Sequence, residues 1–268
     1  MKILFLGDVV GRAGREIVLK QLPELKAKMQ LDFIVVNAEN AAHGFGLTPK
    51  MFDAFKKAGA NVITMGNHTF DKKDIFDTLA SNPDIIRPAN YPEGTIGQGH
   101  TIHTLPDGRK VGVVQVLGCT FMRTNAEPLP YLQAFYDKYK LGRDVQAIIV
   151  DVHAEATSEK MAMGFLSDGQ ASLVAGTHTH IPTADAMILP KGTGYITDIG
   201  MCGDYYSIIG MTTASALPRF THSAPQRLSP AEQNGTLCAV LIETNDATGL
   251  CEKIRPVRIG AHLINTES

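Results

Sequence analysis

Short apolar runs recur along the chain, each ending in a polar residue, and between them lie longer stretches with apolar positions three and four apart. That pattern predicts strands alternating with amphipathic helices. The first third reads as a strand over Lys2–Leu6, a helix over about Arg15–Met29, a strand over Phe33–Asn37, a helix over Thr48–Ala58 and a strand over Asn61–Met65. Thr48-Pro49 supplies an N-cap and a first helical position, and Gly59 supplies the stop. In the middle, His100–Leu105 and Lys110–Val116 flank Pro106-Asp107-Gly108-Arg109 and predict a hairpin.

A second alternating stretch follows, with helices near Tyr131–Tyr139 and Ser158–Leu166 and strands at Ala147–Val152 and Ser172–Ala175. Gly235–Glu243 and Leu250–Ile259, joined by the turn-rich Asn245–Gly249, predict a closing hairpin. Strand-helix alternation implies parallel strands with right-handed crossovers, and the hairpins make the sheets mixed. The order is accommodated by an α/β fold in which two mixed sheets pack face to face with helices outside. No repeat, charge block or flexible linker interrupts it, so residues 1–268 are expected to form a single domain.

Composition narrows the function classes. A hydrophobic fraction of 44% in 268 residues is enough for a substantial core. The net charge of -2 and charged fraction of 19% argue against a surface built to neutralise a nucleic-acid backbone or an acidic membrane, so phosphate recognition must be local. The opening MKILFLGDVV is too short and too soon followed by Asp8 to be a signal core, and no apolar run approaches the roughly 18 residues of a membrane span. A soluble, cytoplasmic protein without a membrane partner is expected. Cys119, Cys202, Cys238 and Cys251 show no CxxC pairing and lie in or beside apolar segments, which predicts free buried thiols. The turn between Cys238 and Cys251 would not set them opposite one another.

The chemistry-bearing residues fall at the carboxyl ends of the predicted strands. Asp8 follows ILFLG, Glu39-Asn40 follow FIVVNA, Asn67-His68 follow VITMG, His153 follows IIVDV, and His178-Thr179-His180 follow SLVAGT. Ligands of open α/β sheets bind outside the carboxyl ends, so these segments are expected to share one crevice. Any one of them alone has an ordinary explanation in turn or hydrogen-bond chemistry. Their joint occurrence points to a site. Oxygen donors with imidazole nitrogens and no thiolate suit manganese, iron or zinc, and Asp8, Glu39, Asn40, Asn67, His153, His178 and His180 exceed what one tetrahedral ion needs. Two adjacent ions sharing a carboxylate are the economical reading. A spacing of two between His178 and His180 sets both rings on one side if the segment is extended.

GDVVG, NAEN, GNHTFD and GTHTH, in that order, resemble the signature blocks of the calcineurin-like metallophosphoesterases. Two departures, Val10 where a first-block His is usual and Glu39 with Asn40 where the bridging residue is usually Asp, resemble the YmdB-like bacterial branch. The resemblance implies a four-layer α/β/β/α sandwich and a binuclear phosphoric diester hydrolase acting on 2',3'- or 3',5'-cyclic nucleotides. It implies two divalent or mixed-valence ions, iron or manganese with zinc as the alternative. Asp8, Glu39, Asn40 and His180 would hold the first ion. Glu39 would bridge to the second, completed by Asn67, His153 and His178, while His68 and Asn40 would face substrate. RNA ends remain a candidate substrate, and a homo-oligomer, dimer or tetramer, is expected.

In the mechanism this suggests, a metal-activated hydroxide attacks phosphorus. His68 protonates the departing ribose oxygen or else holds a phosphate oxygen electrostatically, imidazole being the side chain suited to proton transfer near neutral pH. A phosphomonoesterase or protein phosphatase with the same metals, and a non-catalytic nucleotide-binding regulator, are the competing readings. His43-Gly44-Phe45-Gly46 is read equally as a crevice rim or a plain turn. Gly200–Ser207 is read as a rim with stacking tyrosines, core packing or a subunit contact. His100, His103, His222 and His262 are expected to be surface or hairpin residues.

Overall fold

The computed structural model describes residues 1–122, 126–221, 224 and 226–266. Its first parallel run comprises β1 (Lys2–Leu6), β2 (Phe33–Asn37), β3 (Val62–Thr64) and β4 (Ile85–Ile86), linked through α1 (Gly11–Met29), α2 (Pro49–Ala58) and α3 (Phe76–Ser81). A second sheet follows, ordered β5 (His100–Thr104), β6 (Lys110–Leu117), β7 (Ala147–His153), β8 (Leu173–Thr177), then β10 (Gly194–Ile196) and β9 (Met187–Ile188). The helices α4 (Pro128–Lys138) and α5 (Thr157–Leu166) make the crossovers β6 to β7 and β7 to β8, both parallel pairs. The chain then returns to the first sheet. Beyond β11 (Gly203–Asp204) and α6 (Thr213–Ala216), β12 (Gly235–Thr244) pairs antiparallel with β1, β11 and β13 (Cys251–Gly260).

Alternation along each strand builds the layers. Ile3, Phe5, Phe33 and Val35 face the second sheet, where Val111, Val113, Ile149 and Leu173 meet them in one buried cluster. Leu4, Leu6, Ile34 and Val36 point the other way, onto Val18, Leu22 and Leu25 of α1 and Phe52 and Phe55 of α2. Val114, Val116, Ile148 and Val150 turn outward onto Leu132, Phe135 and Tyr136 of α4 and Met163 of α5. A strand's period of two thus gives each sheet one face for its partner and one for its helices. The result is the expected four-layer α/β/β/α sandwich of two mixed sheets. Each fully buried Leu, Ile or Phe contributes about 1.5–3 kcal/mol, and both faces of the central strands collect it.

Most elements lie where the pattern sets them, and the differences have local causes. α1 starts at Gly11 rather than Arg15, because Gly11 takes a φ of 60° there and turns directly out of the bridge between Val9 and Cys202. α2 is capped as read, with Thr48 Oγ1 accepting from Met51 N at 3.4 Å and Gly59 ending the helix at a φ of 114°. In the closing hairpin Cys238 sits opposite Arg258 and Cys251 opposite Thr244, and all four thiols are free. Cys119, expected to be buried, is exposed, because the loop after β6 carries it out of the sheet. His100 and His103 are half-buried on β5. His262 is stacked beneath Tyr206 at 3.7 Å rather than free on the surface, and His222 lies outside the described residues. No helix among the described residues is long and apolar enough to cross a membrane.

Gly7, at the exit of β1, packs so closely on the carbonyl of Gly200 that an added Cβ would overlap it. This contact brings the residue before Asp8 against the loop after β10. Gly7→Ala is expected to destabilise the fold by about 3 kcal/mol, the upper range for overpacking. Urea denaturation measures this, and a midpoint equal to that of the parent would refute the close approach.

Candidate metal centre

Both parallel runs end at the same edge of the sandwich. From the first sheet come Asp8 after β1, Glu39 and Asn40 after β2, and Asn67 and His68 after β3; from the second come His153, closing β7, and His178 and His180 after β8. The two sets meet. His153 Nε2 lies 3.0 Å from Glu39 Oε1 and 2.9 Å from Asn67 Oδ1. The rings of His153 and His178 are 4.9 Å apart at an edge, and Glu39, His153 and His178 present ligand atoms within 4.8 Å of one another. Asp8 accepts from the backbone N–H of His178 at 3.2 and 3.3 Å and has His180 Nε2 at 3.9 Å. Asp8, Glu39, Asn40, His153 and His180 are all buried.

Burial of this density has electrostatic consequences. Desolvation pushes the Asp8 carboxyl up to about 6, against the pull of His180 and His153. Desolvation also acts on Glu39, but the adjacent imidazoles of His153 and His68, with the His68 N–H, outweigh it and hold that carboxyl down at about 2. His153 shows the reverse balance: burial disfavours its charge, yet Glu39 and Asp8 raise it to about 9. His178 is lowered to about 3 by burial and by His153, so it is neutral and carries a free lone pair.

Three features of this site fit a cation. The donor set is carboxylate, amide oxygen and imidazole, the chemistry of manganese, iron and zinc sites. Asn40 is buried with Nδ2 donating to Gly44 O at 2.9 Å, while its Oδ1 has no partner among the described residues, an acceptor oxygen open to a cation. A Cβ on Gly66 would collide with Glu39 Oε2 and His153 Nε2, so only glycine leaves the two in place.

The rings are aimed from behind. Asp151, two residues before His153 on the same face of β7, is wholly buried and accepts from Thr64 Oγ1 at 2.6 Å, Thr177 Oγ1 at 2.6 Å, Gln115 Nε2 at 2.7 Å and Asn37 Nδ2 at 3.2 Å. Because Thr177 donates its hydroxyl proton to Asp151, it accepts at 2.8 Å from His153 Nδ1–H, which turns Nε2 toward Glu39 and Asn67. In the same way His180 Nδ1–H donates to Ile209 O at 2.8 Å and turns Nε2 toward Asp8.

The His178–His180 segment corrects the expectation of an extended strand. Both histidines have positive φ, 89° and 66°, so the backbone turns at each and the rings enter the site from a tight loop. The left-handed region costs about 1–2 kcal/mol per non-glycine residue. Thr179 between them offsets this by donating through Oγ1 to Asp198 Oδ2 at 2.6 Å, and buried Lys160 pairs with that oxygen at 2.8 Å.

His68 stands apart from the cluster, as its divergence from Asn67 predicts. Its backbone N–H donates to Glu39 Oε2 at 2.8 Å, its Nδ1 meets Asp71 Oδ2 at 2.8 Å, and its ring sits against the edge of Phe45 at 5.0 Å. The His43–Gly46 loop is therefore a rim. In Gly200–Ser207, Tyr205 is core packing: its hydroxyl lies 3.2 Å from the carbonyl of His180 and 3.0 Å from that of Met201. Tyr206 is exposed.

Sequence reasoning missed Asp151, Thr177, Lys160 and Asp198, and also Glu155, whose Oε2 is 3.3 Å from His178 Nε2. One signal was present: Asp151-Val152-His153 has the spacing that puts a carboxylate and an imidazole on one face of a strand.

Comparison with known proteins gives the family and the fold. A family model described as YmdB-like protein matches residues 4–257. The 2',3'-cyclic-nucleotide 2'-phosphodiesterase of Bacillus subtilis (strain 168) is 47% identical over 261 residues, which cover 97% of each chain. A crystal structure described as a novel phosphatase, from Mycoplasma pneumoniae, superposes with a TM-score of 0.90 at 37% identity, covering 97% of this chain and 93% of that one. The calcineurin-like phosphoesterase YfkN of Bacillus subtilis shares the fold alone, with a TM-score of 0.50 and 11% identity over 96% and 90% of the two chains.

Thr177→Val removes the hydroxyl and leaves a buried imidazole N–H and a buried carboxylate oxygen short of a partner. It is expected to cost about 2 kcal/mol of stability and to weaken cation retention about tenfold, with Thr177→Ser restoring both. Denaturation and metal analysis after dialysis measure these, and Val behaving like Ser would refute the bridge.

Proposed function

The chain belongs to the YmdB-like family, and on that premise we propose that it is a metal-dependent phosphodiesterase that opens 2',3'-cyclic nucleotides at the 2' ester. The observation that carries this reading is the convergence of Asp8, Glu39, Asn67, His153, His178 and His180 from two sheets, beside the unpaired oxygen of Asn40. Asp8, Asn40 and His180 would hold one divalent cation and Asn67, His153 and His178 a second, with Glu39 shared. The Nε2 atoms support that division, since that of His180 faces Asp8 and that of His153 faces Glu39 and Asn67. Iron or manganese are the proposed ions, with zinc the alternative. Bound there, they supply positive charge to the phosphoryl oxygens and lower the pKa of water toward neutrality.

The protein's own residues supply the rest. His68 lies at the rim beside the centre, where Asp71 holds Nδ1 and Phe45 limits the ring, so Nε2 is the nitrogen left to face substrate. As water adds to phosphorus and the bond to the ribose 2' oxygen breaks, that oxygen takes the proton from His68. The Glu39 carboxylate accepts the His68 backbone N–H, which ties the position of the acid to the cation-binding carboxylate. Burial excludes bulk water from the carboxylates and strengthens their hold on charge.

His68→Ala is expected to lower kcat about a hundredfold on 2',3'-cyclic AMP while retaining the cation content of the parent. Glu39→Ala is expected to lose both ions. Steady-state kinetics beside metal analysis separates the two, and cation loss in His68→Ala would make it a ligand instead. Comparing bis-aryl with mono-aryl phosphate hydrolysis in defined metals tests the reaction class. A clear preference for the monoester would replace phosphodiesterase with phosphomonoesterase.

A further inference from the structure

Phe45, at the rim, also lines an open cavity of about 500 Å³. Lys72, Arg219 and Arg227 line it, with His43, Phe45 and Ser229. No carboxylate is among its described lining residues. Neither arginine forms an ion pair among the described residues, and both are exposed, so their charge is directed at whatever enters the cavity. On a chain of net charge -2, this concentration of cations is a local feature.

The cavity is tied to the candidate centre through shared residues. Phe45 is at once its wall and the ring against His68, and Lys72 follows Asp71, which orients His68. The opposite wall belongs to the excursion between β11 and β12. That excursion supplies Ile209 O to His180 and closes on itself through the Met211–Pro230 bridge. Phe220, beside Arg219, is 71% exposed and offers an apolar face of the kind on which a base stacks. Cations that follow a backbone, together with an aromatic surface, are the recurring means of holding a single nucleic-acid strand. The volume lies within the range that takes a nucleotide-sized group.

We propose that this cavity binds the phosphodiester that precedes a terminal cyclic phosphate, so that the preferred substrate is a short oligoribonucleotide end rather than a free mononucleotide. The inference rests on the phosphodiesterase reading above and adds a second phosphate to it. Water adds to the terminal cyclic phosphorus, the bond to the 2' oxygen breaks, and that oxygen takes a proton. The internucleotide ester, held by Arg219, Arg227 and Lys72, stays intact.

The test pairs turnover with binding. A dinucleotide ending in a 2',3'-cyclic phosphate is compared with 2',3'-cyclic AMP for kcat/KM. Adenylyl-adenosine 3'-phosphate is compared with adenosine 3'-phosphate by calorimetry. In the parent protein the dinucleotide is expected to be favoured about tenfold in both ratios, the worth of about one charge-assisted phosphate contact. Both ratios should fall to near one in Arg219→Ala/Arg227→Ala and survive in Arg219→Lys/Arg227→Lys, which retains the charge. A parent ratio near one, or a ratio untouched by the alanine pair, overturns the inference. So does inorganic phosphate alone binding as tightly as the dinucleotide, which would make the cavity a free-phosphate site. If no cyclic phosphate is turned over, the phosphodiesterase reading falls, and the calorimetric ratio still decides the cavity.

Discussion

Asp8 and Glu39 are carboxylates removed from water at the line where two sheets meet, and the surrounding structure is arranged to compensate them. A buried charge without a partner costs several kcal/mol, so each needs hydrogen-bond donors or opposite charge from the protein or from a ligand. The donors are only partly protein. Asp8 receives one backbone N–H at ordinary distance and has two imidazoles farther off, His180 at 3.9 Å and His153 at 4.0 Å, and its carboxyl rises to about 6. Glu39 is better served, by His153 and by the His68 N–H, and stays ionised. Asn40, next to Glu39 in the chain, adds a buried Oδ1 without a partner among the described residues, so Asp8 and Asn40 are the groups whose needs the protein meets least.

A second tier of buried polar groups makes this arrangement rigid. Asp151 gathers four side-chain donors from both sheets and, through Thr177, sets the orientation of His153. Asp198, neutralised by Lys160, pins Thr179 and so holds two left-handed histidines in place. A dense buried network of this kind favours one geometry, because any slip exposes several polar groups to an apolar surround at once. The sandwich contributes the remainder. Strand ends from two parallel runs reach the same edge only when the sheets pack face to face, which the alternation of Ile3, Phe5 and Val35 enforces.

The layered fold and the gathering of Asp8, Glu39, Asn67, His153 and His178 at strand ends were legible in the chain because both follow from short-range periodicity. A strand with apolar residues on two faces announces two burial partners, and a polar residue at its carboxyl end announces where ligands collect. Thr48 and Gly59 marked a helix by cap chemistry that is local. The conformation of His178 and His180 was not legible, since their positive φ depends on Asp198 and Lys160, brought in from elsewhere in the chain. Asp151 and Thr177 were hidden for the same reason: their partners are Asn37, Thr64 and Gln115, distant in sequence. Arg219 and Arg227 belong to no charge block in the chain and meet only where the excursion between β11 and β12 folds against the His43–Gly46 loop. Cys119 escaped because an apolar run says nothing about the loop that leaves it.

Under the proposed function these residues form one centre for two cations with Glu39 between them, and anomalous scattering from crystals grown with manganese decides it. Two peaks about 3.5–4 Å apart are expected, both near Glu39, one with Asp8, Asn40 and His180 and the other with Asn67, His153 and His178. A single peak, or a pair that leaves Glu39 untouched, would contradict it.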